Sequence, residues 1–218
     1  PVEYLGQCEA VRGLDPMAFI TMVDQTPVGS SARATPATYV KAWDGIRKLF
    51  SKTRAAKDAS LKPGFFSFNS GDGRCQTCMG DGVERIEMQF LSDVTLDCPD
   101  CEGRRFGPEA LAITWSGLNV ADVLELTVTE ARDVFRDYHD IYGPLQALVD
   151  VGLGYLRMGQ RLTTLSGGES QRLKLAQHLA DVRKQSGQGL GLFLLDEPTT
   201  GLHPDDISNL LESLDQLV

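Results

Sequence analysis

The sequence predicts an α/β fold interrupted by a mixed α+β, cysteine-rich insert. Three observations predict it. A short apolar run at residues 192–195 ends in the adjacent carboxylates Asp196 and Glu197, the pattern of a core strand that ends in a chemical site. Upstream, Ser166-Gly167-Gly168 opens a segment with Leu173, Ala176, Leu179 and Ala180 at helical spacing. Further upstream, four cysteines form two C-x-x-C pairs.

Composition bounds the class. The chain has 218 residues, 42% of them hydrophobic and 23% charged, which suits one or two globular domains with a real core. No apolar run approaches the roughly 18 residues of a membrane span. The N-terminus PVEYLGQCEA lacks a basic stretch followed by an apolar block, so it is not read as a secretory signal. The chain begins with Pro1, which fits an excised piece of a longer protein. A net charge of −9 argues against nucleic acid on average, but the charge is uneven. Residues 33–74 carry nine Lys/Arg against three Asp, a local +6. That stretch reads either as a solvated helical face or as a phosphate-contacting surface.

Taken in order, residues 18–25 (AFITMVDQ) predict a short buried strand. A Ser/Ala/Thr/Pro-rich loop follows, then a helix from Pro36 with Tyr39, Val40, Trp43, Ile46, Leu49 and Phe50 on one face, read as core packing. Residues 71–106 form the cysteine module. Beyond it the sequence predicts a strand at 111–115 and helices at 120–126, 129–138 and 144–151, with Thr129 capping the second of these. Ser166 and Glu169 have capping-box spacing ahead of the long helix. The Gly-rich 186–191 predicts a loop into the last strand. Three blocks result: a core segment at 1–29, an insert at 30–158, and a closing core segment at 159–218.

The cysteine spacing is Cys75-x2-Cys78-x19-Cys98-x2-Cys101. Each pair turns tightly enough for both thiolates to meet one ion, and two pairs complete a four-thiolate zinc site. Gly80, Gly82 and Gly103 free the backbone to turn its amides toward sulfur. Four thiolates leave no open position, so the zinc is structural, a staple for a loop-rich insert or the frame of a binding surface. Cys8 is left over as an inert thiol.

A glycine-rich turn entering a helix offers free N–H groups and a positive dipole end, which suit a phosphate. Taken alone, Ser166-Gly167-Gly168 is equally a well-capped helix start, and Asp196-Glu197-Pro198 a strand end with two solvated acids. Together they assign Asp196 to Mg²⁺ and Glu197 to polarising a water. No G-x-x-x-x-G-K-[ST] phosphate loop is present in the chain.

The set LSGGESQRLKLA, LLDEPTTGLH, MVDQTPVG, PATY, PGFFSFN and the x19 cysteine module resembles the UvrA family of ABC-type ATPases, from about Val23 to Pro204. The resemblance implies a partial ABC-type nucleotide-binding domain interrupted by a zinc-containing insert, in a bacterial cytoplasmic protein of nucleotide excision repair. It implies that Gln25 is the Q-loop residue and Glu197 the catalytic base. It implies that Asp196, Ser166, Gly167, Gly168, Glu169, Gln171 and His203 belong to the ATP and Mg²⁺ site shared with the other ABC cassette. The resemblance places the chain between a Walker A lysine and a switch histidine, so hydrolysis by the chain alone is not expected. Implied partners are damaged or distorted double-stranded DNA, a second copy in a homodimer, and a UvrB-type protein, with no membrane. Lys62, Arg74, Arg85, Arg104 and Arg105, near the module, are the implied DNA contacts. Two alternatives share parts of this pattern. One is a UvrA-like paralogue protecting against DNA-binding drugs. The other is a non-enzymatic zinc module, because C-Q-T-C-M-G-D-G resembles the repeats of DnaJ-type chaperones, although Cys101 is followed by E-G-R-R.

Overall fold

The computed structural model describes residues 13, 17–29, 31, 33–86, 94–184, 191–199 and 204–215. The first strand, β1 (Phe19–Val23), alternates half-buried and exposed positions before the fully buried Val23. It is therefore buried on one face only, not on both as the sequence predicts. Thr35 caps α1 (Pro36–Tyr39) through a reciprocal bond with Thr38. The single helix expected from Pro36 is two helices. Lys41 adopts φ 64 and re-aims the chain into α2 (Ala42–Ser51), so that both helices can face one core. The predicted stripe holds: Val40, Trp43, Ile46 and Phe50 are buried, with Tyr39 and Leu49 packed beside them. A short α3 (Arg54–Asp58) and a 3-10 turn (Pro63–Phe66) lead into the cysteine module.

In the module, β2 (Val83–Ile86) and β3 (Val94–Asp97) pair antiparallel, as expected of a hairpin. After it, α4 (Pro108–Leu111) occupies the start of the stretch predicted as strand. Pro108 suits a helix start, where its missing N–H costs nothing. Only Thr114–Trp115 (β4) is extended, and it pairs with Leu118–Asn119 (β5) around Ser116-Gly117. Both turn residues have positive φ, the geometry of a tight two-residue hairpin. Asn119 and Asp122 form a capping box for α5 (Val120–Glu125). For α6 (Val128–Val134) the cap is Thr127 with Glu130, not Thr129, whose hydroxyl donates to the Gly154 carbonyl at 3.1 Å instead. The next helix, α7 (His139–Asp150), begins five residues before its predicted start and accommodates Pro144 inside. Burial of Ile141 and Leu145 on either side of Pro144 outweighs the one backbone bond it forfeits.

A 3-10 turn (Leu162–Thr164) precedes the long α8 (Gly167–Lys184). Then come β6 (Gly191–Leu195) and α9 (Pro204–Asp215); the predicted loop ahead of β6 lies largely outside the described residues. β6 pairs in parallel with β1, Phe19 opposite Gly191 and Val23 opposite Leu195. One face of this ribbon packs on α8. The other exposes Ile20, Met22 and Leu194, so β6 too is covered on one side only. Among the described residues no helix is long and apolar enough to cross a membrane.

The main core joins the helices to the cysteine module. Trp43 lies 5.5 Å from Phe68 and 6.3 Å from Phe106 between ring centroids, and its indole N–H donates to the Phe66 carbonyl at 3.2 Å. Helices α2 and α7 meet at Gly45, where a Cβ would come within 2.6 Å of Ile141 Cγ1. Gly45→Val is therefore expected to destabilise the chain by roughly 1–3 kcal/mol through overpacking, despite a gain in helix propensity. Thermal or urea unfolding measures it; unchanged stability would mean that the two helices separate freely.

Candidate nucleotide site and four-cysteine metal centre

The C-terminal ends of β1 and β6 converge on the start of α8. Ser166 and Glu169 cap the helix reciprocally: the Ser166 N–H donates to Glu169 Oε2 at 2.7 Å and the Glu169 N–H to Ser166 Oγ at 3.3 Å. Tyr155, 59% exposed and not singled out by its sequence context, donates its hydroxyl to the same carboxylate. Partial burial works against the Glu169 charge, but bonds from Tyr155 and Ser166 outweigh it and hold the carboxyl below its usual range. Ser166 is exposed, and Gly167 and Gly168 are half-buried. Gly167 sits against Gln25: a Cβ there would lie 3.3 Å from Gln25 Cβ and 3.4 Å from its Oε1. Gln25 and Gly167 are thus neighbours within one chain.

Gln171 takes a different position from the one the resemblance implies. It is 2% exposed, and its amide nitrogen donates to the carbonyls of Val23 at 2.9 Å and Asp196 at 2.6 Å. It ties the two strand ends together instead of facing outward. Lys174, one turn on, binds the Asp24 carboxylate, the Asp24 carbonyl at 3.2 Å and Thr26 Oγ1 at 2.6 Å. Nothing in the local sequence pattern marks Lys174 or Asp24, because their pairing joins segments far apart in the chain. Asp196 and Glu197 are exposed at the end of β6. Glu197 has φ 45 and precedes Pro198, a left-handed backbone that L-residues avoid. Local strain of this kind collects at functional sites. His203 lies outside the described residues.

The four module cysteines are buried, and their sulfur atoms all lie within 4.8 Å of one another. Cys75 and Cys98 are 3.9 Å apart at sulfur, Cys78 and Cys101 3.7 Å. The two knuckles repeat one backbone trace. Met79, Gly80 and Gly82 after the first pair have positive φ, as do Glu102, Gly103 and Arg105 after the second. E-G-R-R therefore folds as M-G-D-G does. The Gly82 N–H donates to Cys78 Sγ at 3.2 Å. Desolvation pushes the Cys78 thiol up and the Cys101 thiol to about 12. At Cys75 desolvation is outweighed by the amides of Cys78 and Thr77, and the net shift is downward. Such a group can hold one metal ion, whose charge would favour the thiolates that burial disfavours.

Of the implied DNA contacts, Lys62 and Arg104 are exposed. Arg74 is half-buried and donates to the Asn69 carbonyl at 2.9 Å; the side chain of Arg85, on β2, lies outside the described residues. Arg105 is a correction. At 6% exposure it is buried under the second knuckle, with its guanidinium carbon 5.2 Å from the centre of the Phe68 ring, and it is not a surface cation. Exposed cations that proximity to the cysteines did not single out lie on α2, on α3 and in the turn between them, at Lys48, Lys52, Arg54 and Lys57.

The Lys174 and Thr26 bonds hold the Asp24 carboxyl down at about 2. A folded pKa below the unfolded value of about 3.9 adds stability above about pH 4, which is lost as pH falls toward 2. With Lys174→Met, the Asp24 titration followed by NMR is expected to move back toward the ordinary carboxylate range. An unmoved midpoint would assign the effect to Thr26 alone.

No family model matches the chain. UvrABC system protein A of Aquifex aeolicus is 49% identical over 216 residues, 99% of this chain and 23% of that protein. The protein of the same name from Staphylococcus epidermidis is 49% identical over 213 residues, 98% of this chain and 22% of its own length. The crystal structure of UvrA2 from Deinococcus radiodurans matches with a TM-score of 0.85 and 46% identity, over 94% of this chain and 24% of that one. This chain spans a little under a quarter of the length of these relatives. Similarity at this level, carried across the whole chain in both sequence and fold, shows that the chain belongs to the UvrA family, of which it represents one segment.

Proposed function

We propose that this chain acts within an ABC-type ATPase that recognises damaged DNA in nucleotide excision repair. The carrying observation is the meeting of Gln25, the Ser166 turn and Asp196 around Gln171, which brings three nucleotide-handling segments to one edge. In this reading Asp196 holds Mg²⁺, Gln25 senses it, and Glu197 takes the proton of a water attacking the γ-phosphate. The exposed N-terminal turn of α8 presents Ser166, Gly167 and Gly168 to the phosphate held by the other cassette. Gln171 and Glu169 hold that turn in place instead of touching nucleotide. The open apolar face of β1 and β6 packs on the rest of the cassette, because parallel strands are normally covered on both sides. Duplex DNA is met through phosphates and deformability, on the surface holding Lys62, Arg74 and Arg104 together with the cations of α2 and α3. The complete protein works as a cytoplasmic homodimer with a UvrB-type partner.

We assign the four-cysteine centre to Zn²⁺. A tetrahedron with bonds of about 2.3 Å to sulfur has edges of about 3.8 Å, close to the 3.7 and 3.9 Å separations between paired sulfurs. Bound there, zinc supplies a structural charge centre that fixes both knuckles.

Three measurements test these assignments. In the complete protein, Glu197→Gln is expected to keep ATP binding while lowering turnover by about 10²-fold or more; undiminished turnover removes Glu197 as the base. The chain is expected to bind one zinc per molecule with proton release, and Cys78→Ser or Cys101→Ser should lose it while Cys8→Ser should not. Retention of zinc by both variants would exclude the four-cysteine site. Binding to lesion-bearing duplex in preference to intact duplex supports the repair reading, and preference for drug-loaded duplex supports the self-protection alternative.

A further inference from the structure

Three arginines fasten the two cysteine knuckles to the loop that enters the α8 turn and to the segment beside it. Arg105 Nη2 donates to the Gly159 carbonyl at 3.1 Å, and Arg161 Nη2 donates to the Asp81 carbonyl at 3.3 Å. Arg33 Nε donates to Asp81 Oδ1 at 2.6 Å, and its neighbour Ala34 accepts the Leu162 N–H at 2.9 Å. From Gly159 the chain runs through Leu162–Thr164 directly to Ser166.

Arg105 is the member whose presence packing alone does not explain. It stands at φ 68, where the first knuckle has Gly82 at φ 75, so a bulky residue occupies a left-handed position that glycine would fill without strain. It is a buried cation, and its Nη1 has no hydrogen-bond partner among the described residues. Both features cost free energy that an apolar residue would avoid. The knuckle is nevertheless built around it. A Cβ on Gly82 would come 2.8 Å from the Gly103 carbonyl oxygen and 3.0 Å from Arg105 Cγ. The Arg105 backbone also belongs to the metal centre: its carbonyl accepts the Cys75 N–H at 2.9 Å, and its N–H donates to the Cys101 sulfur. A single residue therefore touches a cysteine of each pair through its backbone and the signature approach through its guanidinium.

We propose that Arg105 is a positioning residue that carries the state of the four-cysteine centre to the loop 159–165 and so to the nucleotide-facing turn at Ser166. The proposal rests on the reading of that turn given above. With metal bound, the second knuckle holds the left-handed Arg105 backbone, and the guanidinium pins the Gly159 carbonyl. When the metal leaves, that backbone relaxes, the guanidinium releases Gly159, and the approach to Ser166 loosens.

The test is amide hydrogen exchange of residues 157–170 in the full 218-residue chain, zinc-loaded and after chelation, for wild type and Arg105→Met. In the wild type, chelation is expected to speed exchange there about tenfold or more, the scale of one charge-assisted hydrogen bond. In zinc-loaded Arg105→Met the segment should already exchange fast, and chelation should add nothing. Slow exchange in the zinc-loaded variant overturns the proposal, and so does a chelation effect of equal size in both proteins. The latter would mean that the two perturbations simply add, as they do for a residue with only a structural role. If Arg105→Met fails to load zinc, Arg105→Lys gives the same readout: it keeps the charge and stem over Phe68 but lacks the planar fork. Zinc-coupled protection close to wild type in that variant overturns the proposal equally. The measurement involves neither ATP nor DNA, so a failed coupling leaves the ATPase reading standing. A failed ATPase reading would leave the coupling intact but without a nucleotide site to serve.

Discussion

The structure depends on one pairing between distant segments, that of β1 with β6. Parallel strands cannot be joined by a hairpin, and here residues 24–190 lie between them, so the whole insert is carried on a single crossover. Closing so long a loop has an entropic cost that the ladder alone does not offset. Side chains from α8 add to it. Phe193 meets Phe19 and His178 edge to face, with centroids 5.4 and 5.6 Å apart, and Gln171 bonds to the carbonyls at both strand ends. A buried amide that satisfies two strand-end carbonyls also determines where Gln25 and the two carboxylates sit. The geometry of the candidate nucleotide edge is therefore a consequence of how the crossover is closed.

The cysteine module faces the opposite problem. It is too small to bury a core of its own, and segments of this size depend on metals or on borrowed packing. Both occur here. Phe68 and Phe106 flank the knuckles in sequence and insert beside Trp43 of α2, so the module shares the main core while the sulfurs form a second, separate cluster. The arginines at Asp81 and Gly159 add a polar seam to this apolar one. The module is thereby attached to the rest of the chain by both an apolar and a polar contact.

Four of the strained backbone positions lie at the two candidate sites. Among the described residues, the non-glycine positions with positive φ include Met79, Glu102 and Arg105 at the knuckles and Glu197 at the strand end. The knuckle positions turn amides toward sulfur. Glu197, two residues past the end of β6, takes the chain out of the strand direction with φ 45.

Much of this was legible in the chain itself. The four cysteines, the Ser166–Glu169 cap, the Trp43 and Phe50 stripe and the strand ending in Asp196 are local patterns, since periodicity, capping and ligand spacing act over a few residues. The strand predicted at 111–115 and the unbroken helix from Pro36 failed where short-range backbone features, Pro108 at a helix start and the positive φ of Lys41, cut across the apolar pattern, and the cap at Thr129 failed because its hydroxyl is drawn to the remote Gly154 carbonyl. Burial shows the same division. Arg105 looked like any cation beside a zinc knuckle, yet the fold places it under Phe68 and against Gly159, while Gln171 is drawn inward by two strand ends. The sequence by itself determined which chemical groups are present and which short motifs hold them. Only the tertiary structure decided which of those groups face solvent and which brace the fold, because that choice depends on long-range packing that brings segments such as residues 24 and 174 into contact.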